Sequence, residues 1–294
     1  MRRRNFLLTG LHTLLVAPAV IGGVTPPARQ TPGVADLEEI ERRLRGRLGV
    51  AALDVASGRR LSWREHERFP MCSTFKWMLA AQVLSRVDAS QEQLTRRIPY
   101  GERDLLDHAP ITKARLGEGA MPVEDLCDAI VRHSDNTAAN LLLATVGGPA
   151  GLTAYCRTIG DTVTRLDRME PDLNSAVPGD PRDTTTPAAM TSNLSSVLLG
   201  DLLSAASRER LVGWLVGNTT GDAKLRAGLP DTWRVGDKTG MGANGATNDV
   251  AIAWPRADRP VLIASYLTGT DAPVADRNAA LADVARVVAT WVGA

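Results

Sequence analysis

From Asp36 to Leu48, the apolar residues Leu37, Ile40, Leu44 and Leu48 fall on one stripe with Glu and Arg opposite, which predicts an amphipathic helix. Val50 to Val55 and Arg59 to Trp63 then read as two strands around a turn at Ala56-Ser57-Gly58. From Ser73 to about Glu209 the pattern turns helical, with predicted helices over Thr74 to Val87, Pro122 to His133, Asn136 to Val146, Gly151 to Ile159 and Pro187 to Leu203. Pro122 and Pro187 stand where helix starts tolerate proline, and Gly147-Gly148 is a natural stop. After a helix near Arg208 to Val216, strand-like runs return at Thr232 to Gly236, Asn248 to Trp254 and Pro260 to Leu267. A last apolar helix runs from about Asp276 to Trp291.

The strands at the two ends of the chain most economically share one antiparallel sheet. The expected fold is α/β of the α+β kind: a five-stranded antiparallel sheet flanked by the terminal helices, with an all-helical domain inserted and the active site between them. The boundaries expected are 1–30 for an export signal, 31–68 plus 208–294 for the α/β domain, and 69–207 for the helical insertion. No internal repeat or low-complexity linker is visible.

Composition narrows the function. With 44% hydrophobic and 23% charged residues, the 294-residue chain is globular rather than disordered or fibrous. A formal net charge of +1, with no long run of like charge, gives no electrostatic case for nucleic acid or an anionic membrane surface. The beginning of the chain reads as an export signal: Arg2, Arg3 and Arg4, a mostly apolar stretch from Phe6 to Val24, then Pro-rich sequence, with Ala17-Pro18-Ala19 offering a cleavage site after Ala19. Arg3-Arg4-Asn5-Phe6-Leu7 resembles the twin-arginine translocation consensus. A periplasmic or secreted protein without a stable membrane anchor is expected. Cys72, Cys127 and Cys156 are an odd set for an exported chain and read as small buried thiols.

Three strings carry candidate chemistry: Ser73-Thr74-Phe75-Lys76, Ser134-Asp135-Asn136 and Lys238-Thr239-Gly240, with Glu170-Pro171-Asp172-Leu173-Asn174 between the last two. Each alone is also an ordinary helix end or surface turn; their joint order is the signal. Only four lysines occur, Lys76, Lys113, Lys224 and Lys238, and two of them fall inside these strings. Ser73 opens an apolar helix, where unpaired amides favour developing negative charge. Lys76, one turn on, is expected to reach the Ser73 oxygen. Ser134 and Asn136 sit on a connector between helices that can aim side chains into a cleft, with Asp135 capping the next helix. At Lys238-Thr239-Gly240 a cation and a hydroxyl suit a substrate carboxylate, and the glycine admits close approach to a strand edge. His133 reads as a surface or packing residue, not a catalytic base.

These residues resemble the penicillin-recognising serine enzymes, and the Glu170 element resembles class A β-lactamases specifically. The resemblance runs from about Asp36 to the end of the chain. It implies hydrolysis of the β-lactam amide of penicillins and cephalosporins, and hence antibiotic resistance, with no cofactor and no metal. By this resemblance Ser73 is the nucleophile, its proton is taken by Lys76 directly or by Glu170 through water, Ser134 passes a proton to the leaving nitrogen with help from Lys76 and Lys238, and the backbone amides of Ser73 and Met241 form the oxyanion hole. Glu170 and Asn174 activate the hydrolytic water. Asn136, Thr239, Gly240, Met241, Lys224 and His108 contact substrate, and Arg168 with Asp183 closes the Ω-loop that carries Glu170.

The chain also departs from its relatives. Met241 lacks a hydroxyl that many carry, Lys224 stands where some have arginine, and His108 stands near an aromatic gatekeeper position. Cys72 matches a cysteine that several carbapenem-hydrolysing members bridge, yet the partner position here is Gly242, so that disulfide cannot form. The alternatives are a D-Ala-D-Ala carboxypeptidase, disfavoured by the Glu170 element, and a β-lactam-sensing domain that acylates without turning over. A metal-dependent lactamase is disfavoured because His12, His66, His108 and His133 form no ligand cluster. A monomer acting on small molecules is expected.

Overall fold

The computed structural model describes residues 33–293. The export-signal reading over Arg2 to Val24 and the cleavage site after Ala19 lie outside the described residues. A first helix, α1 (Val34–Leu44), leads into the hairpin β1 (Arg47–Asp54) and β2 (Arg60–Trp63). A short strand β3 (Phe69–Pro70) and a 3-10 turn (Cys72–Thr74) then deliver the chain to α2 (Phe75–Asp88). Next come β4 (Arg97–Pro99), α3 (Pro110–Ala114), β5 (Ala120–Pro122), α4 (Val123–Arg132), α5 (Asn136–Thr145) and α6 (Gly148–Thr158). The remainder is β6 (Thr184–Thr185), α7 (Pro187–Leu198), α8 (Ala205–Val216), α9 (Leu225–Gly228), β7 (Arg234–Met241), β8 (Thr247–Arg256), β9 (Arg259–Thr268) and α10 (Val274–Gly293).

The antiparallel sheet has the order β2-β1-β9-β8-β7, so strands from both ends of the chain pair at β1 and β9. Side chains alternate between its faces. Val50, Ala251, Val261, Ile263 and Leu267 pack with Leu37, Ile40, Val284 and Trp291 of the terminal helices. Val250, Ile252, Leu262, Ala264 and Tyr266 pack on the other face with Phe75, Trp77, Met190 and Leu211. The sheet is therefore buried on both sides, which explains why β8 and β9 read as nearly continuous apolar runs.

Several boundaries differ from the sequence reading for local reasons. The first helix stops at Leu44 because Arg45 takes a left-handed conformation (φ 49°), and Leu48 belongs to β1. Pro122 precedes α4 as its flanking residue, and Gly147, with φ 88°, introduces α6 instead of only ending α5. The seventh helix ends at Leu198 instead of running to Leu203. Strand β7 extends through Met241, so Lys238-Thr239-Gly240 lies within the strand, not after it. The largely helical segment also carries two ribbons, β3 with β6 and β4 with β5. Their strands are two or three residues long, too short for periodicity to reveal.

One glycine on β1 sets a packing limit. A Cβ at Gly49 would lie 2.3 Å from the Phe69 ring. Gly49→Ala is expected to lose about 1–3 kcal/mol of unfolding free energy through overpacking, read by denaturant melts; unchanged stability would mean that Phe69 has room to move.

Candidate active site

Ser73 sits in the 3-10 turn before α2, and its backbone is held from several directions. Asn248 donates to Pro70 O (2.8 Å) and Met71 O (3.1 Å), Thr74 Oγ1 donates to Met71 O, and Met71 N donates to Asp183 O. A Cβ on Gly240 would lie 2.7 Å from Met71 O and 3.2 Å from Ser73 N. Only glycine lets β7 run this close to the serine turn, and that approach brings the Met241 end of the strand to the cleft.

Lys76 is wholly buried one turn into α2. Its ammonium donates to Ser134 O (2.8 Å) and Asn136 Oδ1 (2.5 Å), and pairs with Glu170 Oε1 at 2.9 Å. The sequence reading sends this amine to the Ser73 oxygen; its hydrogen bonds instead go to a carboxylate and two carbonyl oxygens, which offer a cation stronger acceptors than a hydroxyl. Ser73 Oγ donates to the same Glu170 Oε1 at 3.4 Å. Burial, only partly offset by Glu170, lowers the Lys76 pKa below the ordinary lysine value.

Ser134 has φ 57°, a strained left-handed conformation at the start of the connector. Its Oγ accepts from Lys238 Nζ at 3.1 Å. Asp135 fastens this connector as expected: it accepts from Ala138 N at the start of α5 and from Ile111 N, Thr112 N and Thr112 Oγ1. Lys238 is fully buried, and its pKa is lowered to about 7, by burial first and then by the Lys76 charge. His133 is half-buried, with Nδ1 3.3 Å from Thr219 Oγ1.

The loop from Arg168 to Asp183 carries Glu170. Arg168 Nε donates to Asp183 Oδ2 at 2.6 Å, and Asp183 Oδ1 also accepts from Asp167 N and Arg168 N. Asn174 Nδ2 donates to Glu170 Oε2 at 2.5 Å. Ala243 N and the Asn244 amide tie the middle of the loop, at Asn174 to Ala176, to the turn after β7.

Two contributors escaped the sequence reading. Asn140 holds the Glu170 backbone at both ends, with Nδ2 donating to Glu170 O (2.9 Å) and Oδ1 accepting from Glu170 N (3.0 Å). It follows Asn136 by four residues and so shares its helix face, a spacing that could have drawn attention. Thr220 shares a hydrogen bond with Thr239, their Oγ1 atoms 2.5 Å apart, and nothing in its local sequence marks it.

These groups open on a cleft of about 320 Å³ lined by Ser73, Ser134, Asn136, Asn174, Lys224, Thr239, Gly240 and Met241, with Thr220 and His108 completing the wall. His108 is exposed at the mouth, and Nε2 lies 3.3 Å from His133 O. Lys224 Nζ donates to Thr220 O at 3.3 Å. A larger cavity of about 460 Å³ on the outer side of the Arg168–Asp183 loop contains none of the serine or lysine motif residues. Cys72, Cys127 and Cys156 are buried and free. A Cβ at Gly242 would lie 2.7 Å from Cys72 Sγ, so the position expected to face Cys72 does face it but has no sulfur to offer.

Arg168→Ala would leave the nearly buried Asp183 carboxylate with only its backbone donors. It is expected to cost about 1–3 kcal/mol in denaturant melts and to direct limited proteolysis to residues 168–183; first cleavage elsewhere would show that the loop closes without this pair.

Residues 34–292 match the family model described as the beta-lactamase enzyme family. The chain is 51% identical over 303 residues to Beta-lactamase L2 of Stenotrophomonas maltophilia, covering all of both proteins. It is 45% identical over 299 residues to Beta-lactamase AST-1 of Nocardia asteroides, covering 99% of this chain and 96% of that one. An ancestral (GNCA) class A β-lactamase structure superposes with a TM-score of 0.86 at 58% identity, covering 88% of this chain and 99% of its own. With the serine, lysine and glutamate strings gathered on one cleft and this similarity along the whole described fold, the chain belongs to the beta-lactamase enzyme family, in its class A branch.

Proposed function

We propose that the chain hydrolyses β-lactam antibiotics through an acyl-enzyme on Ser73, with Glu170 serving deacylation. The observation that carries this reading is the position of the Glu170 carboxylate, which accepts from Ser73 Oγ and Asn174 Nδ2 while pairing with Lys76.

In acylation, Ser73 Oγ attacks the lactam carbonyl carbon and its proton passes to the buried Lys76–Glu170 pair. The carbonyl oxygen gathers charge between the amides of Ser73 and Met241. The C–N bond then breaks, and the lactam nitrogen takes the proton of Ser134 Oγ, which Lys238 resupplies along its 3.1 Å hydrogen bond. In deacylation, Glu170 accepts a proton from water as the water attacks the ester carbonyl. Asn174 Oδ1 receives no hydrogen bond from the protein and is an acceptor for that water. Thr239, Lys238 and Lys224 bind the substrate carboxylate, and Asn136 donates to a side-chain carbonyl. His108 and Met241 shape the mouth, where the missing Met241 hydroxyl weakens the grip on the carboxylate.

The division into an α/β unit (31–68 with 208–294) and a helical insertion (69–207) fits a cleft built from both. Residues 1–30 are read as an export signal directed to the twin-arginine route, giving a periplasmic or secreted monomer. Among the described residues no helix is long and apolar enough to cross a membrane.

The direct test is turnover of benzylpenicillin and a chromogenic cephalosporin by the mature chain, with intact-mass spectrometry on the same samples. Glu170→Gln is expected to accumulate a penicilloyl adduct on Ser73, and Ser73→Ala to abolish both adduct and turnover. Hydrolysis retained by Ser73→Ala would overturn the scheme. A stable adduct on the unmodified enzyme without turnover would instead indicate a sensor or peptidase.

The lowered Lys238 pKa gives a pH signature. Below about 7 the free enzyme holds this residue as an ammonium, and above it the charge is lost. Since kcat/KM reports free-enzyme groups, kcat/KM for benzylpenicillin should fall as pH rises through about 7. Lys238→Arg, which stays charged, should flatten that limb. A limb unchanged in the arginine variant would assign it to another group.

A further inference from the structure

The reaction described above leaves two wholly buried acids of the sheet unused, Asp237 and Asp249. Asp249 on β8 stands directly opposite Thr239 on β7, and alternation puts both on the sheet face that packs against α9 and α10, with Asp237 beside them. Asp249 Oδ2 accepts from Leu225 N at 3.1 Å, next to Lys224, while Asp249 Oδ1 is buried and receives no hydrogen. The Asp237 carboxyl lies within hydrogen-bond reach of Asp249. Both Asp237 oxygens are already supplied with donors, Oδ1 from Arg226 Nε and Oδ2 from Asn218 Nδ2 at 2.6 Å. Two buried carboxyl groups in contact do not both ionise, and the one with more donors keeps the charge. A proton on Asp249 Oδ1 turns an unsatisfied acceptor into a donor to Asp237 and resolves both problems together.

We propose that Asp249 is a neutral carboxylic acid that donates to Asp237, and that by staying neutral it leaves the Lys224 ammonium free to receive the substrate carboxylate. Asp249 is thus a positioning residue, and the proposal rests on the reading of Lys224 as a carboxylate-binding group. The charges around Asp249 make its state consequential. Lys224 and Arg226 approach from the α9 segment and Asp237 from β7, Ser265 stands directly opposite on β9, and Arg277 of α10 donates to Thr247 Oγ1 two residues along β8; Lys238 and Tyr266 lie on the other face of the sheet. With Asp249 neutral, Lys224 and Arg226 face a single carboxylate, and one cation remains in excess at the cleft wall. An ionised Asp249 would cancel that excess and draw Lys224 inward. Burial and the neighbouring Asp237 both raise the Asp249 pKa, consistent with the hydrogen-bond argument.

The test reads the proton first, without substrate. Carboxyl carbon NMR of the mature enzyme labelled at aspartate, with the Asp249 signal assigned by its loss in Asp249→Asn, is expected to show a protonated acid at pH 7. An ionised signal there would overturn the proposal whatever the enzyme's activity. The second reading is kinetic: Asp249→Ala should raise KM for benzylpenicillin several-fold with much less change in kcat, and Asp249→Asn, whose amide can donate as the acid does, should recover most of that loss. A folded Asp249→Asn enzyme with KM several-fold below that of the unmodified enzyme would mean that Asp249 is normally charged, and would also overturn the proposal. Absence of β-lactam turnover in the unmodified enzyme would instead refute the reading of the cleft, with the NMR result standing apart.

Discussion

The site is organised around a buried ion pair, Lys76 Nζ to Glu170 Oε1 at 2.9 Å, with both side chains fully removed from solvent. Taking two such charges out of water costs several kcal/mol per ion, repaid only when the remaining hydrogen-bond capacity of each is filled. Here it is filled from three separate stretches of chain. The ammonium also donates to Ser134 O and Asn136 Oδ1, and the carboxylate accepts from Asn174 and Ser73. None of these contacts is local except Asn174, so the pair can exist only once α2, the connector before α5 and the Arg168–Asp183 loop have come together. Removing one partner would leave the other charged and buried, which explains why the surrounding backbone is so thoroughly fixed.

That fixation has a cost visible in the backbone. Cys72 and Ser134 flank the site with φ values of 45° and 57°, a region that residues other than glycine seldom occupy. Each is held by neighbouring bonds. The serine turn is pinned by Asn248 and by Asp183 O, and the connector by the four donors gathered on Asp135. Asn140 does the same for Glu170, clamping the peptide on each side of the residue whose carboxylate must not drift. Preorganisation of this kind is what lets donors and acceptors act on a transition state without first rearranging.

The first and last described helices, the other long helices and the sheet are legible because burial imposes a period along each element. The motif residues were legible because their order along the chain is improbable by chance. What escaped has a common physical character. The ribbons at Phe69–Pro70 with Thr184–Thr185 and Arg97–Pro99 with Ala120–Pro122 are too short to show a period, and pair residues far apart in sequence. The αL stop at Arg45 is unusual for arginine, so the helical pattern in the sequence runs four residues past the end of α1. Helical spacing alone points Lys76 at Ser73, because spacing reports what lies on one face and says nothing of the stronger acceptors that other segments deliver. Asn140, Thr220 and Asp249 are polar residues whose partners come from other elements, and no local pattern announces them.

Strand β7 joins these themes. Its alternation sends Lys238 to one face, against Ser134 Oγ, and Asp237 and Thr239 to the other, against the α9 and α10 side. Lys238 and Thr239, the residues proposed for proton delivery and carboxylate recognition, are thus neighbours on one strand that lie in different electrostatic surroundings. On the Lys238 face the neighbouring charge is Lys76, and repulsion adds to burial in lowering the Lys238 pKa to about 7. On the Thr239 face the neighbours are Asp237, Asp249, Lys224 and Arg226, whose balance decides how much positive charge reaches the cleft wall. Gly240 then ends the alternation where a side chain would strike Met71 O, and the strand passes beside Ser73 N with its end lining the cleft. A single extended segment thus supplies a cation on one face, a hydroxyl on the other and a bare backbone edge at its end, and this order of residue types follows from the period of two.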